Sequence, residues 1–135
     1  MPPSAPASAR TPTFRRAYPA SASQIRIVRA DLRALLDGCP IAAEAILCAS
    51  ELAANAALHS ESRKPGGTLT VNVAIRASDY VRIEVDDGGG PWAEPAADAD
   101  RPHGLGIIAT LASRWGITER DTGRTVWAQL DWPAG

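Results

Sequence analysis

Two stretches, TLTVNVAI at residues 68–75 and VRIEVDDGGG at residues 81–90, decide the fold. In the first, Leu69, Val71, Val73 and Ile75 recur at every second position, the period of a strand with one buried face. In the second, Val81, Ile83 and Val85 keep the same period until the run reaches Asp86-Asp87 and three glycines. Ser78 and Asp79 supply the turn between them. The reading is an antiparallel hairpin whose second strand runs into a carboxylate beside backbone that carries no side chains.

Outward from this hairpin the period changes. Residues from Ala42 to about Leu58 are rich in alanine and leucine, with Glu44, Ser50, Glu51, Asn55 and His59 as the few polar positions, which predicts a largely buried helix. Before it, Ile25, Val28, Leu32, Leu35 and Leu36 follow the helical period, with Ser21 or Ser23 as the cap and Gly38 and Pro40 as the stop. Residues 14–18 can add an edge strand limited by Pro19. On the other side, residues 91–102 are rich in proline, alanine and acids and read as a mobile loop. A helix from Gly104 to about Ser113 follows. A second hairpin, 115–119 with 125–130, turns at Asp121-Thr122-Gly123. Residues 1–13, mostly proline, alanine and serine, are expected to form a disordered tail, and residues 14–135 a single domain. The order strand, helix, helix, two strands, helix, two strands predicts an α+β two-layer sandwich. Its helices lie on one face of a mixed, mostly antiparallel sheet.

Composition narrows the function. The chain has 135 residues with 45% apolar content, enough for one real core. Lys plus Arg number 14 against 15 Asp plus Glu, so there is no basic field for direct nucleic-acid binding. No run approaches the about 20 apolar residues of a membrane span, and no signal-peptide core is present. Cys39 and Cys48 show neither metal-ligand nor CxxC spacing, and Cys48 reads as a small buried thiol. A cytoplasmic location is the expectation.

Three motifs carry chemistry. Glu51, Asn55 and His59 recur four apart, on one helix face. An amide oxygen beside a carboxylate suits Mg²⁺, which keeps water and phosphate oxygens as its other ligands. Asn55 is the candidate metal ligand, Glu51 the candidate proton acceptor, and His59 reads as structural. At the strand end, a fixed carboxylate accepts hydrogen bonds only, so it can choose the exocyclic amine of adenine over the carbonyl of guanine. Glycine spacing favours Asp86 for that role, because it places Gly88 and Gly90 correctly, whereas counting from Asp87 puts Pro91 where the second glycine belongs. Gly104-Leu105-Gly106 opens a helix whose exposed amides attract phosphate. Gly123-Arg124-Thr125 offers a hydroxyl donor, although a hairpin turn explains it equally well. There is no GxxxxGK[ST]. Each motif alone has an ordinary structural explanation; their order does not.

With those residues placed, the chain resembles the GHKL superfamily of gyrase, heat-shock chaperone, histidine-kinase and mismatch-repair ATPases. Residues 51–59 resemble its N box, Asp86 to Gly90 its G1 box and Gly104 to Gly106 its G2 box. Within the superfamily the chain is most similar to the small anti-sigma-factor serine/threonine kinases, from about Phe14 to Leu130. The resemblance implies a Bergerat-type ATP-binding sandwich in which Asn55 coordinates Mg²⁺, Glu51 is the general base and Asp86 binds the adenine amine. Gly88, Gly90, His103, Gly104, Leu105, Gly106 and Thr125 would complete the ATP site. It also implies transfer of the γ-phosphate to a serine or threonine of an anti-anti-sigma (STAS-domain) partner, a sigma factor as second partner, and a homodimer. His103 stands where this family often has arginine, with Arg101 two residues earlier. That substitution keeps a second reading open: an ATP-binding anti-sigma factor or adaptor that sequesters a partner without phosphotransfer.

Overall fold

A computed structural model describes residues 13–59, 66–88, 104–121 and 123–133. The elements are β1 (Phe14–Pro19), α1 (Ile25–Leu35), α2 (Ala42–His59), β2 (Thr68–Arg76), β3 (Tyr80–Asp87), α3 (Gly104–Leu111), β4 (Arg114–Arg120) and β5 (Gly123–Asp131). The strands form one sheet in the order β1-β2-β3-β5-β4, and all four described pairings are antiparallel. Residues 1–12 of the expected tail and the loop at 91–102 lie outside the described residues.

One face of the sheet is apolar because the strands alternate in phase. Leu69, Val71 and Val73 of β2 pair with Tyr18 and Arg16 of β1 and with Val85 and Ile83 of β3. Val126, Ala128 and Leu130 of β5 continue the layer, each 3% exposed or less. The helices pack on that face. Val28, Leu32 and Leu36 from the α1 stripe are buried, and α2 contributes Ala45, Cys48, Ala49, Leu52, Ala53 and Ala56. Alanine at these contacts lets α2 lie close to its neighbours, and α2 touches β2, β3, β5, α1 and α3.

Polar ties lock the first helix in place. Ser50, 2% exposed, accepts a hydrogen bond from Arg29 Nε (2.8 Å) and donates to the Ile46 carbonyl (2.9 Å), joining α1 to α2. Asp31 of α1 accepts from the Tyr18 hydroxyl and from Arg16 Nη1, each at 2.6 Å. Burial first, then the Asp31 contact, holds the Tyr18 hydroxyl protonated far into the alkaline range. The expected serine cap takes another form: a 3-10 turn over Ala22–Gln24 precedes α1, and Ser21 makes no side-chain cap bond. Among the described residues no helix is long and apolar enough to cross a membrane.

Candidate functional site

Strand phase settles which of the two adjacent aspartates faces the helices. Val81, Ile83 and Val85 are at most 1% exposed beneath the helical layer, and two residues on from Val85 comes Asp87, 6% exposed. Asp86 therefore points to the opposite, open face. There it accepts hydrogen bonds from Thr125 Oγ1 (2.6 Å) and Asn72 Nδ2 (3.2 Å), with Arg120 Nη2 at 3.6 Å. Arg15 Nη1 in turn donates to Asn72 Oδ1 (2.7 Å). Glycine spacing led to the expectation of Asp86, with Thr125, at the site. The two bond to each other, but on the face away from α2 and α3. The signal that finds Asp87 is the alternation of the valines and isoleucine, a longer-range constraint than glycine spacing.

On the helix-facing side, register places Asp87 opposite Arg124, and Arg124 opposite Glu119. Arg124 is 5% exposed and donates from Nε to Glu119 Oε1 at 3.0 Å. The sequence reading did not assign a role to Arg124 or Glu119. Gly123 precedes Arg124 with φ +154°, and a Cβ there would lie 2.0 Å from the carbonyl oxygen of Asp87. Only glycine lets β5 approach the end of β3 this closely.

Glu51 and Asn55 sit one turn apart on α2 and are half-buried beside the buried Leu52, Ala53 and Ala56. Both α3 and β3 pack on α2, the helix that carries these two residues. Gly104 and Gly106 occupy the first turn of α3, and a side chain at Gly106 would meet no described atom within 4 Å. Gly88 follows β3 and is exposed. Gly90, His103 and the side chains of His59 and Leu105 lie outside the described residues. Among the described residues no cluster of three or more His, Cys, Asp or Glu side chains can hold a metal. Magnesium carried on phosphate oxygens needs no such cluster, since one or two protein oxygens suffice.

Cys48, on the buried side of α2, reports on this layer. Burial pushes its thiol from the usual 9.0 up to about 11, and the charges of Glu51 and Glu44 add to the shift. A folded value above the unfolded one means that this contribution to stability is intact below about 9 and is lost as pH rises toward 11. Urea midpoints of the wild type should therefore fall across that window, and Cys48→Ala should flatten the slope. Near neutral pH an alkylating reagent should label Cys39 in the native protein and Cys48 only after unfolding.

The chain matches the profile of the histidine kinase-like ATPase domain over residues 18–130. It belongs to that family. The match runs from within β1 to within β5, so the sandwich is that of a histidine kinase-like ATPase domain. A crystal structure of the RsbU and RsbW domains of Rv1364c from Mycobacterium tuberculosis is similar, with a TM-score of 0.68 and 26% identity. The similarity covers 93% of this chain and 35% of that one. The histidine kinase domain of a blue-light-activated histidine kinase from Erythrobacter litoralis EL346 shares the fold at a TM-score of 0.53 and 16% identity. There 84% of this chain and 61% of the other are covered, so the chain spans only part of both proteins. No curated protein matches the chain.

Proposed function

We propose that the protein is a magnesium-dependent serine/threonine kinase of the anti-sigma type, which phosphorylates a STAS-domain anti-anti-sigma partner. The observation that carries this reading is Glu51 on α2. A helix rich in alanine and leucine keeps a carboxylate half-buried, one turn from Asn55. A domain that only binds nucleotide has no use for a base there.

In this reading Asp87, in place of Asp86, accepts the adenine amine, and a buried carboxylate on the helix-facing side suits that task. Gly88, Gly90, His103, Gly104, Leu105 and Gly106 are the further residues assigned to ATP by the family resemblance. Asn55 holds Mg²⁺, which when bound neutralises phosphate charge. A partner serine or threonine oxygen bonds to the γ-phosphorus as the bond from that phosphorus to the bridging oxygen breaks. ADP leaves, and the hydroxyl proton passes to Glu51. The sigma factor as second partner, a homodimer and a cytoplasmic setting complete the proposal.

Calorimetric titration with ATP, with and without Mg²⁺ and with GTP as control, tests the pocket; transfer of γ-labelled phosphate to STAS-domain proteins tests the activity. Binding without any transfer would leave a nucleotide-gated adaptor. Asp87→Asn is expected to weaken ATP binding about 10- to 100-fold, the worth of a hydrogen bond to a charged group. Asp86→Asn should stay within about twofold of wild type. The reverse order of effects would restore Asp86 to the site.

A further inference from the structure

We infer that Arg124 is a positioning residue for Asp87 and thereby sets the preference of the site for adenine. The inference rests on the proposed nucleotide pocket. Asp87, Arg124 and Glu119 are directly paired across β3, β5 and β4 on the helix-facing side, giving a row of negative, positive and negative groups. Paired residues of adjacent antiparallel strands hold their Cβ atoms about 5 Å apart. Asp87 Oδ2 and Arg124 Nη1 are both shut off from solvent. Register makes each the cross-strand neighbour of the other, and neither charge is tolerated in a core without compensation.

The guanidinium is suited to holding a carboxylate in one orientation. It is planar, permanently charged and carries five N–H donors in a rigid fork. Glu119, with its side chain 66% exposed, engages Nε at 3.0 Å and so fixes the fork from the outer strand. Gly123 lets the main chain of β5 press against the Asp87 carbonyl, so Arg124 is anchored at the position where its strand comes closest to β3. Asp87 is thus held in one orientation before nucleotide arrives. An aspartate that is ionised and fixed accepts from an amine; one that swings or takes up a proton loses that selectivity.

The test compares ATP with inosine triphosphate, which carries a carbonyl in place of the adenine amine. Dissociation constants for both, in the presence of Mg²⁺, are measured for wild type, Arg124→Met, Arg124→Lys and Glu119→Ala. The wild type should prefer ATP by at least about tenfold. Arg124→Met should lose most of that preference through weaker ATP binding, and Arg124→Lys, which keeps the charge, should retain the larger part. An unchanged preference in Arg124→Met overturns the inference, and so does equal weakening of both nucleotides, which marks a merely structural role. If Arg124→Met does not fold, Glu119→Ala decides: an exposed residue is changed, a fall in preference supports the inference, and none overturns it. A wild type that binds neither nucleotide, or both equally, overturns the pocket reading and this inference together. A discriminating wild type with an equally discriminating variant overturns only the role of Arg124.

Discussion

Glu51→Gln is expected to lower phosphotransfer by about 10²- to 10⁴-fold, the usual contribution of a positioned general base, while Mg-ATP binding stays within about threefold of wild type. The substitution keeps the length of the side chain and its helix propensity, so α2 should be unaffected. It removes the ability to take a proton. It also removes one of the charges that raise the Cys48 thiol, so Cys48 should titrate lower in the variant, an internal check that the change is local. Single-turnover transfer to the partner, measured beside calorimetric binding, separates the two effects. Equal transfer rates would remove Glu51 from the mechanism; a parallel loss of binding would place it among the nucleotide contacts instead.

Gly123→Ala should cost about 3–5 kcal/mol, from the backbone strain and overpacking it introduces. The new Cβ would lie 2.0 Å from the Asp87 oxygen and 3.1 Å from its carbonyl carbon, so main chain must move. A loss of that size is a large part of the about 5–15 kcal/mol that stabilises a typical domain. Because the contact is with Asp87 itself, the displaced group is the one assigned to the base, and ATP affinity should fall in whatever fraction remains folded. Gly116 is the milder contrast. A Cβ there would meet the ring of Trp127 at 2.9 Å, and that ring lies under the Arg82 guanidinium, 4.1 Å from its centroid, on the open face. A side chain can give way where a carbonyl in a paired strand cannot. Urea unfolding of Gly123→Ala checks the claim, and a loss below about 1 kcal/mol would show that β5 relaxes away from β3.

Much of the fold was legible because its elements are periodic. The helix expected from Ala42 to about Leu58 spans Ala42–His59, and the strand expected at 68–75 spans Thr68–Arg76. Strands were underestimated at their ends. The strand expected from Val81 into Asp86 continues through Asp87, and the one expected at 125–130 begins at Gly123, because ladder pairing carries on past the last alternating apolar residue. The third helix stops at Leu111 rather than about Ser113, whose amide bonds to the Gln129 carbonyl at the start of β4 (2.8 Å).

The site was legible only in part. Glu51 and Asn55 could be read because their spacing within one helix puts them on one face, and that geometry is local. The facing of Asp86 and Asp87 is not local: glycine spacing does not carry it, and in a strand a shift of one residue exchanges the two faces. Arg124 and Glu119 carried no motif at all.

The sequence by itself determined the periodicities, and through them the two-layer sandwich and the family, since a segment's period of 2 or 3.6 depends on its own residues. Only the tertiary structure decided that Asp87 faces the helices while Asp86 and Thr125 bond on the open side, and that Asp87, Arg124 and Glu119 stand in one row. Those facts arise from the register between strands that are distant in the chain, and the buried helical layer against the sheet is what holds that register.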